Sequence, residues 1–250
     1  MHIGVTTSRI GLRGSLKMKI KFLGTKGEIE EKTPKHKYSS SLLIEEQGFK
    51  LLIDHGLLSR KLVEIKPDAI LITHGHPDHF IWLKKDEDYQ GKIYITAESE
   101  KLAKFKKNFE IIKINRWFKI GPFKIFAYEV AHSLIAPAVG YKIKNSQTLV
   151  YNPDLIVIKD KNVLKNVDLY IGDGSSVRSN LVRRRDGKLF GHARMKTQIN
   201  WCKEYKINNI IFTHLGKEAL RIGDEKLEKM LRVKNISIKV AHDRMEYGLK

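Results

Sequence analysis

Three of the chain's ten histidines fall within six residues, His74-Gly75-His76-Pro77-Asp78-His79. Imidazole nitrogens and carboxylate oxygens are the ligands that borderline cations such as zinc take, so this loop reads as part of a metal site. The apolar run Ala69-Ile70-Leu71-Ile72-Thr73 directly precedes it and reads as a buried strand. Gly75 permits a tight backbone in the loop, and Pro77 suits the opening of a following helix. Three more candidates follow strand-like runs in the same way: His132 after residues 123–130, Asp154 after 149–151, and His214 after 210–213. Groups placed just past the carboxyl ends of strands can meet at one sheet edge, as a shared site requires. Asp54 follows Leu51-Leu52-Ile53. It reads as support rather than ligand, because metal-bound imidazoles commonly donate their other N–H to a carboxylate. His55 reads as packing near the site, and His2, His36 and His242 as solvated.

In this order the motifs resemble the metallo-β-lactamase superfamily: HxHxDH at 74–79, then His132, Asp154 and His214. The run Leu52-Ile53-Asp54-His55-Gly56 is similar to the family's early Asp motif. The resemblance covers nearly everything from Met18 to about Val240. It implies an α/β (α+β) fold, the four-layer αββα metallo-β-lactamase sandwich. It also implies two divalent metal ions at the sheet edges, zinc first, with manganese or iron as the other choices. By similarity His74, His76 and His132 hold one ion, Asp78, His79 and His214 hold the other, and Asp154 bridges them. Asp78 takes the further part of accepting a proton from the water between the ions. The chain departs from the family at Asn152-Pro153-Asp154, where Gly usually precedes the Asp, and at His55, where Cys or Gly is common.

Two cations can activate water against many kinds of substrate, so fold and ligands do not name the reaction. His192, in Phe190-Gly191-His192-Ala193-Arg194, discriminates. A histidine opening the helix expected at 197–205 resembles the phosphodiesterase branch, the tRNase Z-type endonucleases and the cyclic-phosphate phosphodiesterases of phosphonate breakdown. The resemblance implies that His192 polarises the phosphate and helps the leaving oxygen depart. Asp173, after the apolar run 167–171, could orient it as a carboxylate partner. Lys and Arg number 47 against 28 Asp and Glu, a net charge of +19 that suits a polyanionic substrate. The Gly- and Ser-rich piece 172–180, followed by Arg183, Arg184 and Arg185, reads as a long loop leading to His192. Those arginines and Arg194 would offer bidentate donors to phosphate there. The long glycine-rich insertion with which tRNase Z grips tRNA is not visible. The expected function is a dinuclear metal-dependent hydrolase, a phosphodiesterase or nuclease acting on a phosphodiester such as RNA or DNA. An ester, thioester or lactone hydrolase, or a nucleic-acid-binding protein with an inactive site, are the alternatives.

These groups must be held by a packed core, and the composition supplies one: 42% of residues are hydrophobic and 30% charged. No apolar run approaches the roughly 18 residues of a membrane span. A lone cysteine, Cys202, fits a reducing, cytoplasmic setting. Residues 1–17 read as a disordered or leader extension, and 18–250 as a single domain. Short strands are expected at 18–22, 41–44, 50–53, 69–73, 92–96, 111–114, 123–130, 139–143, 148–151, 167–171, 209–213 and 236–240. Helices are expected at 98–106, 197–205 and 225–231, which suggests two sheets covered by helices.

Overall fold

The computed structural model describes residues 18–248, so the expected extension at 1–17 lies outside the described residues. The first six strands are β1 (Lys19–Gly24), β2 (Ser41–Glu46), β3 (Phe49–Ile53), β4 (Ala69–Leu71), β5 (Lys92–Ile95) and β6 (Phe109–Ile111). The next six are β7 (Trp117–Ile120), β8 (Phe123–Ala131), β9 (Val139–Lys144), β10 (Thr148–Tyr151), β11 (Val157–Ile158) and β12 (Leu169–Asp173). The last five are β13 (Leu181–Arg185), β14 (Lys188–His192), β15 (Asn209–Thr213), β16 (Ser237–Val240) and β17 (Glu246–Tyr247). The helices are α1 (Leu62–Ile65), α2 (Ala97–Leu102), α3 (Met195–Glu204), α4 (Lys217–Ile222) and α5 (Asp224–Leu231). One sheet runs β17-β1-β2-β3-β4-β5-β6, and the other β11-β8-β9-β10-β12-β15-β16 with β7 beside β8.

Strands buried on both faces send successive apolar residues to different layers. In β3, Leu51 and Ile53 point between the sheets while Leu52 points outward. In β12, Leu169 and Ile171 point inward and Tyr170 meets the outer layer, where Ile199 and Cys202 of α3 and Leu227 of α5 pack. The outer face of the first sheet is closed by Leu62 and Ile65 of α1 together with Phe80 and Trp82. The result is helix, sheet, sheet, helix: the expected αββα sandwich. Among the described residues no helix is long and apolar enough to cross a membrane.

Topology decides where the chemistry collects. β3 runs parallel to β4, and β10, β12 and β15 run parallel to one another, so within each sheet their carboxyl ends share an edge. β8 is antiparallel to β9 and β9 to β10, which turns the end of β8 toward that edge too. Asp54, His74, His132, Asp154, Asp173 and His214 all stand at or just beyond these strand ends.

Several local expectations are corrected. Pro77 opens no helix; only a short 3-10 turn forms, at Ile81–Leu83. The loop backbone is instead committed to the strand beside it, with His55 N–H donating to His79 O (2.8 Å) and Ile81 N–H to His55 O (2.7 Å). The long loop carrying Arg183 to Arg185 is an exposed two-stranded hairpin, β13–β14, whose run of charged residues hides the alternation that marks a buried strand. His192 ends β14 rather than opening a helix, and α3 begins at Met195. His36 is buried, not solvated: Nδ1 meets the Thr25 hydroxyl (2.8 Å) and Nε2 the Asp224 carboxylate (2.9 Å). The strand expected at 111–114 is displaced into β6 and β7, and α4 had no counterpart among the expected helices.

The turn after β3 packs flat against the histidine loop. A Cβ on Gly56 would stand 1.9 Å from the Asp78 carbonyl oxygen, an overlap with rigid backbone. Gly56→Ala should therefore cost about 1–3 kcal/mol of stability through overpacking. A urea titration reads this directly, and an unchanged midpoint would contradict the contact.

Candidate metal centre

The seven candidate ligands converge. Ring nitrogens of His74, His76 and His132 form one group, and atoms of Asp78, His79, Asp154 and His214 a second, each with its ligand atoms within 4.8 Å of one another. In the first, His76 Nδ1 lies 3.0 Å from His74 Nε2 and 3.4 Å from His132 Nε2. In the second, Asp78 Oδ2 lies 3.2 Å from His79 Nε2 and 3.0 Å from His214 Nε2. Asp154 stands between the groups. Its Oδ2 faces His79 Nε2 at 2.8 Å, His214 Nε2 at 3.2 Å and His74 Nε2 at 3.7 Å, and its Oδ1 faces His132 Nε2 at 3.9 Å.

The far nitrogen of most of these rings is tied down. His79 Nδ1–H donates to Asp54 Oδ2 at 2.9 Å, inside a carboxylate that also accepts from the Thr73 hydroxyl and N–H. With its own proton given to Asp54, the Thr73 oxygen accepts from His74 Nδ1–H at 3.0 Å. His132 Nδ1–H donates to Gly191 O at 3.2 Å, and His214 Nδ1–H to the Ser175 hydroxyl at 2.8 Å. In the neutral ring each of these bonds puts the proton on Nδ1 and would leave the Nε2 lone pair toward the centre, the tautomer a metal ligand needs. Asp54 and His214 adopt positive φ, 62° and 54°, a strained choice for residues with a Cβ. For His214 the Ser175 hydroxyl holds that turn by donating to the His214 carbonyl at 3.0 Å.

Charge follows burial. Desolvation drives the His74 imidazole well below the usual histidine range, His76 down to about 4 and His132 downward, so these rings are neutral nitrogen donors. Burial also opposes charge on His79, but Asp78 and Asp54, with Asp154 behind them, raise it well above its ordinary value. Burial disfavours ionised Asp78 and Asp154 as well, yet the histidines around them hold both carboxyls well below the usual range. Two buried atoms, His79 Nε2 and Asp154 Oδ1, have no hydrogen-bond partner. Orphaned donor atoms beside close, mutually facing imidazoles and carboxylates fit divalent cations, which would satisfy them together.

His192 sits on the wall above Asp154. Its Nδ1 lies 2.8 Å from Asp173 Oδ2 and 3.3 Å from Asp154 Oδ1. Burial would lower its pKa, but Asp173 first, then Asp154 and Asp78, raise it to about 9. Asp173 is itself fixed: Oδ1 accepts from Ser175 N–H and Oδ2 from Leu155 N–H, while Gln198 bonds its backbone on both sides. Because Asp154, Asp173, His192 and His214 also approach within 4.8 Å, His192 could serve as ligand or as proton donor on geometry alone.

A cleft of about 820 Å³ opens over His76, Asp78, His132, Asp154, His192 and His214. Its basic residues are Arg178, Lys217, Arg221 and Lys226, not the expected Arg183, Arg184, Arg185 and Arg194. Arg194 precedes α3, with its N–H on the Asn180 side chain and its Nε on the Thr197 hydroxyl. The residues not anticipated are Thr73, Ser175, Gln198 and the basic edge of α4. Thr73 adjoins a histidine motif and was within reach of sequence reasoning; the others are brought in by packing and carry no spacing signal.

Fold and site together define a metallo-β-lactamase-type protein. A family model for the beta-lactamase superfamily domain matches residues 55–215, and the chain belongs to that family. Exodeoxyribonuclease WalJ of Streptococcus pneumoniae is 28% identical over 152 residues, covering 53% of this chain and 56% of that protein. Ribonuclease Z of Methanopyrus kandleri is 29% identical over 143 residues, 50% of each chain. The chain thus aligns with about half the length of these curated relatives. The fold is shared with the metallo-beta-lactamase fold protein YhfI of Bacillus subtilis, at TM-score 0.72 and 22% identity over 92% of this chain and 98% of that one.

Asp54→Asn keeps the size of the group but weakens its hold on His79 and Thr73. Loss of such an outer carboxylate should weaken metal retention about 10–100-fold, as read by competition with a chelator. Retention equal to the parent's would remove Asp54 from the support of the site.

Proposed function

We propose that this protein is a metal-dependent phosphodiesterase, with a nucleic acid as the favoured substrate class. The observation that carries the reading is the His192–Asp173 pair standing over Asp154 on the cleft wall. The supporting findings are the nuclease relatives, each matched over about half its length, and the net charge of +19. In this reading His74, His76 and His132 would hold one divalent ion and Asp78, His79 and His214 a second, with Asp154, between the two groups, available to either. When bound, such ions supply Lewis-acid activation of water and neutralise charge gathering on phosphate oxygens.

The chain's own groups do the rest. Asp78, which lines the cleft and makes its close contacts through Oδ2, would accept a proton from the attacking water on Oδ1. His192 lines the cleft with Nδ1 engaged by Asp173, so its Nε2 proton would be the one to bond a phosphate oxygen and then pass to the departing one. A cationic donor matches a phosphodiester better than a neutral ester, because it meets charge already present in the substrate.

A hydrolysis panel of bis-p-nitrophenyl phosphate, a thioester and a lactone, with zinc or manganese supplied, tests the class; turnover of the thioester or lactone alone would overturn it. His192→Ala should retain metal and lose diester hydrolysis by about 10²–10⁴-fold, the range of a positioned acid. Metal lost together with activity would make His192 a ligand instead. A variant lacking the imidazoles of His74, His76 and His79 should bind no metal in an elemental assay, and stoichiometric metal in it would sink the ligand assignment.

A further inference from the structure

The hairpin β13–β14 rises from the cleft and is exposed along the whole of β13. Its base is locked to the site: Gly191 N–H donates to His132 O at 2.7 Å, and His132 Nδ1 donates back to Gly191 O. Only glycine fits that crossing, since φ is 123° and a Cβ would stand 1.8 Å from Leu181 O. At the far end Asp186 and Gly187 take positive φ, 49° and 74°, in a tight two-residue turn between Arg185 and Lys188.

Register sorts the side chains. Leu181 lines the cleft, so the alternate residues of β13, Arg183 and Arg185, share its face, while Val182 and Arg184 point the other way. Directly opposed residues of an antiparallel pair lie on one face; Arg183 faces Phe190 and Arg185 faces Lys188. The face continuous with the cleft therefore carries an arginine beside an aromatic ring, then an arginine beside a lysine. From Leu181 to Arg185 this ladder extends about 13 Å at the usual strand rise. Alternating cations with an aromatic platform is what an unpaired nucleic-acid strand binds: phosphates pair with the cations and a base stacks on the ring.

We infer that the hairpin is a single-strand guide: Arg183, Arg185 and Lys188 hold phosphates, and Phe190 stacks a base. It leads an unpaired polynucleotide into the cleft at His192. This rests on the phosphodiesterase reading and narrows its substrate to single-stranded nucleic acid. Arg184, on the opposite face, takes no part.

The test is fluorescence anisotropy with a short, labelled, phosphorothioate-linked oligothymidylate, which resists cleavage while binding is read. Joint replacement R183S/R185S/K188S should weaken binding at least tenfold and flatten the slope of log K against log salt by about 2, at roughly 0.7 per phosphate. Phe190→Ala should weaken it roughly 5- to 150-fold for the single strand and leave a duplex of equal length unaffected. Arg184→Ser should bind as the parent does. Equal losses from Arg184→Ser, or a parental salt slope in the triple variant, would overturn the guide. Hydrolysis of bis-p-nitrophenyl phosphate by the unaltered protein separates the two claims. Hydrolysis without hairpin-dependent binding defeats the guide alone, and hairpin-dependent binding without hydrolysis defeats the phosphodiesterase reading while the guide stands.

Discussion

Asp54, Asp78 and Asp154 are all buried at one edge of the sandwich, and three carboxylates cannot be taken out of water without positive charge among them. In the protein alone that charge is drawn onto His79 and His214, whose imidazoles are pushed up by the carboxylates around them. The same field is the one a divalent cation would settle into, with His74, His76 and His132 held neutral nearby by burial. Much of the edge is arranged to make this concentration of charge tolerable. Thr73 and Ser175 spend their hydroxyls on fixing tautomers, and Asp54 and His214 keep strained backbone so that their side chains face inward.

Rigidity at the centre and exposure at the rim belong to the same design. The ring of His132 donates to Gly191, the residue that crosses under Leu181 at the foot of the hairpin. The centre, the His192–Asp173 pair and the base of the hairpin are thus joined by hydrogen bonds through Gly191 and Ser175. The outer part of the hairpin is exposed along β13, with Arg185 Nε 3.8 Å from the Asp186 carboxylate at its tip.

Much of the site was legible because its signal is local. HxHxDH after an apolar run, and single histidines or aspartates after later runs, are patterns of residue type and order, and a sheet edge follows from them once the runs are strands. The strands themselves read well where both faces are buried, as at 69–73 and 209–213, because an unbroken apolar run has few other uses. Reading failed where local preference was weak or was overruled by tertiary contacts. Pro77 favoured a helix start, but bonds from His55 claimed the backbone; His36 looked like a surface residue until Thr25 and Asp224 closed around it. The arginine run showed neither alternation nor apolar content, so a strand pair with no core to face was indistinguishable from a loop.

By itself the sequence determined the family, the layered fold and which residues carry donor atoms, because those depend on chemical type, order and hydrophobic pattern along the chain. Only the tertiary structure decided how those atoms face one another. That Asp154 stands between two groups, that Asp173 reaches His192 across 19 positions, and that Arg183 stands opposite Phe190 and Arg185 opposite Lys188, are facts of register and strand order. They had to wait for the fold because distances of a few ångströms between residues far apart in sequence are set by how two sheets pack, and no local pattern encodes them.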